Sequence, residues 1–236
     1  MAEANLILTE NLVKTYPMGT AEITALDRVS LAFRPGEFAG LVGPSGSGKT
    51  TLLNIIGSLD TPTSGSVEVL GRKIEALSHR EAAALRNRSI GFIFQTFNLL
   101  PVYTAYENVE FPLLLLKIPA AQRRKMAMAA LDWVGLADRA GSRPGQLSGG
   151  QSQRVAIARA IVKRPELVLA DEPTANLDAK NSRAIMETMV QLNQSLGTTF
   201  LFATHDEKVM RYLKRKISLN DGRVEKDELP GARAEK

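Results

Sequence analysis

The sequence predicts an α/β fold with a mainly parallel sheet, an antiparallel β-rich front and a helical insertion, on three observations. Short apolar runs such as Phe38 to Val42, Leu167 to Ala170 and Thr199 to Ala203 read as buried strands with helical patterns between them. Strand-type alternation is concentrated early, at Val29, Leu31 and Phe33 and again from Ser66 to Leu70. From about Thr96 to Gln146 the pattern turns helical.

Taken in order, Val29 to Phe33 and Phe38 to Val42 are two strands joined by the turn Arg34-Pro35-Gly36-Glu37. A glycine-rich loop follows, Thr51 to Ile56 reads as helix, and Pro62 to Gly65 breaks the chain before Ser66 to Leu70. Ser78 with Glu81 forms a capping box ahead of an alanine-rich helix, and Ile90 to Phe94 is a short strand ending at Gln95. A second capping box, Thr104 with Glu107, and Pro119 open helices of the insertion. Ala179 to Leu196 is a helix stopped by Gly197. Lys216 to Leu219, Asn220-Asp221-Gly222 and Arg223 to Val224 form a hairpin. The expected organisation is one domain over 1–236: a core with its β-rich part at about 1–95 and 147–225, the helical part at about 96–146, and a loose polar tail at about 226–236.

Composition narrows the function classes. With 44% hydrophobic and 23% charged residues in 236, the chain is an ordinary globular protein. Its longest apolar stretches, such as Leu113 to Leu116, fall far short of the roughly 20 residues that span a bilayer. The first residues carry Glu3 and no basic cluster, unlike a secretory signal, so cytoplasmic residence is expected. There is no cysteine, and two histidines, His79 and His205, are too few for a histidine-rich metal site. The net charge is +5 without any block of five like charges, and the triplets at 123–125 and 214–216 read as solvated faces.

Two stretches carry chemistry. Gly43-Pro44-Ser45-Gly46-Ser47-Gly48-Lys49-Thr50 fits G-x-x-x-x-G-K-[ST] and lies directly after a strand and before a helix. Glycines let the backbone N–H groups turn inward onto phosphate oxygens, the helix adds its positive end, Lys49 reaches the β- and γ-phosphates, and the Thr50 hydroxyl ligates Mg²⁺. Leu167 to Glu172 is a buried strand ending in two acids. Asp171 is the expected partner of Mg²⁺, and Glu172 is placed to polarise an attacking water, which separates hydrolysis from mere binding.

Between these stretches lies Leu147-Ser148-Gly149-Gly150-Gln151, and with it the chain resembles an ABC ATPase from Tyr16 to His205. The resemblance implies ATP and Mg²⁺ as cofactors. It implies a head-to-tail homodimer in which Ser148, Gly149 and Gly150 of one subunit, with Gln151 beside them, close on the γ-phosphate held by the other subunit's loop. On their own terms these residues precede a helical run and make another anion-binding helix start. The resemblance further implies that Gln95 touches Mg²⁺ or water and senses a membrane partner, that Asp178 communicates across the dimer, and that His205 contacts the γ-phosphate. Tyr16 matches the aromatic that stacks on adenine; alone, it reads equally as half-buried packing. Ser45, Ser47 and Thr51 complete the expected nucleotide contacts. Ser152 departs from the glutamine or glutamate common at its position, an expected change of helix surface only.

Phe94 to Pro101 and Thr104 to Val109, with Pro112 and the leucines 113–116, resemble the lipoprotein-release and macrolide-efflux group. That resemblance implies an integral membrane permease as partner, peripheral residence on the cytoplasmic face of the inner membrane, and mechanical transmission. It implies no nucleic acid. The alternatives are an ABC ATPase that regulates a membrane or cell-wall complex, and a soluble one acting on nucleic acid. The latter usually carries coiled coils or a second cassette, neither of which this sequence contains.

Overall fold

The computed structural model describes residues 5–228 and divides into two units, one formed by the chain up to Ala84 and from Thr199 onward, the other by Leu85–Thr198.

In the first unit a long hairpin of β1 (Ile7–Met18) and β2 (Ala21–Phe33) is extended by β4 (Ser64–Val69) and β5 (Arg72–Lys73) into an antiparallel sheet of order β2-β1-β4-β5. The sequence alone does not predict β1. Register shifts between Thr9 and Leu12, Leu12 and Lys14, and Lys14 and Thr15 explain why: each bulge flips the alternation, so no period of two survives along the strand. Ile7, Leu12, Leu26, Val29, Phe33, Val67 and Val69 are nonetheless buried.

The same unit holds a parallel set in which β3 (Phe38–Val42) lies between β8 (Thr199–Thr204) and β9 (Arg215–Asn220). Every residue of β3 and β8 is buried, as strands covered on both faces require. Phe38, Phe200 and Phe202 pack ring to ring with centroids 4.8–6.0 Å apart. The helix α1 (Lys49–Ile56) follows β3. A two-residue turn, Asp221-Gly222, with φ of 43° and 74°, reverses β9 into β10 (Arg223–Glu228), the geometry that matches strand twist.

Two expectations change here. The expected loose tail begins inside β10, which pairs with β9 through Glu228; residues 229–236 of that tail lie outside the described residues. The basic triplet at 214–216 is not a solvated face. Strand alternation turns Arg215 inward to 5% exposure, where it pairs with Glu37 at 2.9 Å and Asp227 at 2.6 Å, donates to the Ala32 carbonyl and lies over the Phe33 ring. Asp227, a tail residue by composition, thus ties β10 to Arg215 of β9.

The helix α2 (His79–Ser89), opened by the Ser78–Glu81 capping box, leads the chain into the second unit. There β6 (Ile90–Ile93) pairs in parallel with β7 (Leu167–Asp171). Around them lie α3 (Ala105–Leu115), α4 (Ala120–Trp133), α5 (Gly149–Ile161) and α6 (Ala179–Leu196). The expected starts and stops are present: Thr104 and Glu107 cap α3 reciprocally, Pro119 precedes α4, and Gly197 ends α6 in the left-handed conformation. Helix α5 is buried along most of its length, and Ser152 is 6% exposed, so the departure at that position belongs to the interior and not to a helix surface. Among the described residues no helix is long and apolar enough to cross a membrane.

Candidate active site

In the first unit, Gly43 to Gly48 connects the carboxyl end of β3 to α1. Gly48 is the N-cap of α1 at φ 97° and, having no side chain, makes no side-chain cap bond. A Cβ at Gly48 would lie 2.5 Å from the Ala25 carbonyl oxygen, so this position needs glycine twice over. From behind, Gly222 N–H donates to the Ser47 carbonyl at 3.2 Å, so the β9–β10 turn braces the loop. Lys49 is 6% exposed and curls over the loop, its Nζ donating to the carbonyls of Gly43 at 2.8 Å and Pro44 at 2.7 Å. The ammonium therefore stands inside the ring of backbone that would receive an anion. Thr50 and Thr51 occupy the first turn, while Ser45 and Gly46 are exposed at the loop's crest and Ser47 is buried.

His205 follows β8, and the register Val42↔Thr204 places it at the same carboxyl edge as Gly43, one strand away. Ligands of open parallel sheets collect at such edges. Its neighbour Asp206 caps a single-turn helix, α7 (Glu207–Met210), by accepting from Lys208 N–H. Tyr16, in β1, is 37% exposed, and its hydroxyl donates to Asp60 at 2.7 Å. Lys14 Nζ lies 4.8 Å over the ring and 2.6 Å from Asp60. Burial and the Asp60 contact push the Tyr16 hydroxyl above its usual range. Burial pushes the Asp60 carboxyl upward too, but the bonds from Lys14 and Tyr16 prevail and hold it low.

In the second unit the register Ile93↔Ala170 carries Gln95 and Glu172 beyond the carboxyl edge of the β6–β7 pair, with Asp171 closing β7. Glu172 has φ 44°, a left-handed conformation that costs a glutamate on the order of 1 kcal/mol and that folds retain mostly at working sites. Ser148 caps α5 reciprocally with Gln151, its N–H donating to Gln151 Oε1 at 2.9 Å and its Oγ accepting from Gln151 N–H at 3.3 Å. Gly149 is exposed and Gly150 buried, where a Cβ would meet Asn181 Oδ1 at 2.6 Å. Asp178 caps α6, accepting from Asn181 N–H at 2.8 Å and Nδ2 at 2.6 Å, and these bonds hold its carboxyl below the usual range.

A phosphate-type loop, a strand ending in two acids and a capped Ser-Gly-Gly helix start now stand on the predicted elements. The family model described as ABC transporter matches residues 26–175. The chain belongs to the ABC transporter family. Two solved structures of MJ0796 resemble this cassette, each with 45% identity, a TM-score of 0.89, and coverage of 96% of this chain and 100% of theirs. One is a dimer of the ATP-binding cassette in a post-hydrolysis state bound to ADP and Pi; the other is a dimer described as a bacterial ABC transporter cassette. This chain is an ABC cassette ATPase.

Within the cassette's second unit, several residues outside the recognised motifs hold the site in place. Arg159, on α5, donates to the carbonyls of Phe97 at 2.7 Å and Asn98 at 2.5 Å, both residues lying at positive φ. Asn176 Nδ2 donates to the Gln95 carbonyl at 3.0 Å. The segment after Gln95 is thereby tied to the helix that begins at Ser148 and to the loop that leads to Asp178. None of these ties, nor the Tyr16–Asp60 contact, has a signal in the sequence, because the partners are 44 to 81 residues apart and each is an ordinary polar residue.

Proposed function

We propose that this ABC cassette works as a head-to-tail homodimer that closes on ATP and drives a separate integral membrane permease from the cytoplasmic face of the inner membrane, in an exporter or extractor of the mechanical-transmission type. The observation that carries the dimer is the start of α5: Ser148 and Gly149 are exposed at a helix N-terminus suited to an anion. In a head-to-tail pair that anion is the γ-phosphate of the other subunit's ATP. The 45% identical MJ0796 cassette is a dimer in both structures, which supports the same arrangement here. The resemblance of 94–101 and 104–109 to the lipoprotein-release and macrolide-efflux group supports the permease type, with the helical part at about 96–146 as its docking surface and lipoprotein, peptide or macrolide-like molecules as cargo.

The residues divide the work as follows. Tyr16 stacks on the adenine. The backbone from Gly43 to Thr51 and the Lys49 ammonium hold the phosphates, and Lys49, already inside the loop, has only to exchange backbone carbonyls for phosphate oxygens. Glu172 takes the proton of the attacking water, and His205 contacts the γ-phosphate from the neighbouring strand end. Gln95 reports to the permease, and Asp178 positions α6 at the dimer contact. The donors Thr50 hydroxyl, Gln95 amide oxygen and Asp171 carboxylate are hard oxygen ligands of the kind Mg²⁺ takes. Among the described residues no three or more His, Asp or Glu side chains gather to hold a metal by themselves. A Mg²⁺ ion bound mainly through substrate phosphates needs no such group, and it supplies charge neutralisation to the β- and γ-oxygens.

The test is to express tagged Glu172→Gln in its native cell, solubilise membranes gently with ATP and Mg²⁺, and identify by mass spectrometry what co-purifies. A permease with few spans and a large outside domain is the expected result. A many-spanning permease would overturn the mechanical-transmission type, and recovery of only ribosomal or DNA-bound proteins would overturn the transporter reading.

A further inference from the structure

The Tyr16 ring is held by more groups than a half-exposed side chain needs. Its hydroxyl donates to Asp60, in the loop after α1, whose own N–H donates to the Asn54 carbonyl of α1 at 3.3 Å. Its face is covered on one side by the Lys14 ammonium at 4.8 Å, which is itself fixed by Asp60 at 2.6 Å and by the Thr61 carbonyl at 2.8 Å. Asp60 accepts in addition from Thr61 N–H at 2.7 Å, so its own position is set by the backbone. These contacts form a closed circuit, Tyr16 to Asp60 to Lys14 and back to the Tyr16 ring, anchored to the helix that begins with Lys49.

We infer that Asp60 and Lys14 are positioning residues for the nucleobase, acting through Tyr16: Asp60 fixes the ring's tilt and distance from the phosphate loop, and Lys14 closes one face so that a base can stack only on the other. This rests on the reading of Tyr16 as the adenine platform. The physical argument is preorganisation. A free tyrosine on a strand samples several rotamers and loses that freedom when a base stacks; a ring already held at its hydroxyl and one face loses little. A carboxylate acceptor and a cation over the ring make stronger contacts than neutral ones, which suits the task of holding a side chain that remains 37% exposed. The circuit also accounts for a tyrosine at this position. Phenylalanine would stack as well, but it could not reach Asp60. Cross-strand pairing sets Ile23, which is 49% exposed, beside Tyr16 as an apolar neighbour.

The experiment compares ATP with inorganic tripolyphosphate, which carries the phosphates and no base, by calorimetry on wild type, Tyr16→Phe, Asp60→Ala, Lys14→Met and the double variant Tyr16→Phe/Asp60→Ala. Losing one hydrogen bond that positions the ring is expected to weaken ATP binding about three- to tenfold in Tyr16→Phe and Asp60→Ala. Tripolyphosphate binding should be unchanged in every variant, and the double variant should be weaker for ATP than Tyr16→Phe alone by no more than Lys14→Met is weaker than wild type, because Asp60 acts only through the hydroxyl and through Lys14. In turnover the loss should appear in KM and not in kcat. Equal loss of ATP and tripolyphosphate would mean that Asp60 merely supports the fold around α1, and unchanged ATP affinity in both single variants would mean that the circuit does not serve the base; either result overturns the inference. Tyr16→Ala with unchanged ATP affinity would instead remove the platform reading beneath it.

Discussion

At the scale of single residues, Glu172 and Lys163 illustrate how position decides chemistry. Glu172 sits immediately past β7 at φ 44°, a left-handed conformation that a glutamate adopts only at a cost. Exchanging it for glutamine keeps the size and the backbone and removes only the proton acceptor. Turnover in Glu172→Gln should fall by about 10²- to 10⁴-fold, the usual contribution of a general base, while ATP binding measured by calorimetry stays within about twofold of wild type. Wild-type turnover in that variant would remove Glu172 from the mechanism. Lys163 is different: its ammonium donates to the carbonyls of Arg86 at 2.6 Å and Asn87 at 2.7 Å near the end of α2, and burial pulls it down to about 8. Between that value and the unfolded lysine value of about 10.4, the unfolded chain holds the extra proton, so stability rises with pH across this window and the penalty of the buried charge is fully present below it. Relative to Lys163→Met, wild type should gain on the order of 2 kcal/mol between pH 7 and pH 9.5 in urea unfolding. A pH-independent difference would mean that the two carbonyls hold the proton as firmly as water does.

At the scale of elements, the sequence was most informative where a local rule governs and least where a distant contact does. Both capping boxes, the Gly197 stop and the Asp221-Gly222 turn are short-range patterns, and each appears where it was expected. The strand β1 is not legible, because its bulges destroy the alternation, and the burial of Arg215 is not, because one of its two acidic partners, Glu37, is 178 residues away along the chain. The motif at Ser148 to Gly150 was legible, but only half of its reason was. Gly150 is placed where a Cβ would approach Asn181 Oδ1 to 2.6 Å, and Asn181 is tied to Asp178 at the start of α6, so the glycine is also the contact point of two helices. Gly150→Ala should therefore destabilise the cassette by about 1–3 kcal/mol by overpacking. Adding Asn181→Ala should recover most of that stability in urea denaturation without recovering ATPase activity if, as proposed, the turn also faces phosphate. Joint recovery of both would reduce Gly150 to a packing residue.

At the scale of the whole molecule, nucleotide is expected to decide the oligomeric state. Each subunit presents a phosphate loop and a Ser148–Gly149 helix start, and in a head-to-tail pair each ATP would touch one of each, so two symmetry-related sites close together. A ligand shifts such an equilibrium only through its stronger binding to the closed state, and ATP has this advantage because its γ-phosphate is what the Ser148 helix start would hold. ADP lacks that group and should bind the open subunit about as well as the closed pair. Two subunits of net charge +5 also repel, and the polyanionic nucleotides reduce that opposition. In analytical ultracentrifugation, Glu172→Gln should sediment as a dimer with ATP and Mg²⁺ and as a monomer with ADP or without nucleotide. Combining it with Lys49→Ala should return the monomer even with ATP, since the loop then loses the ammonium that stands among its carbonyls. A dimer that forms equally with ADP would show that the interface does not read the γ-phosphate, and the role proposed for the Ser148 helix start would fall.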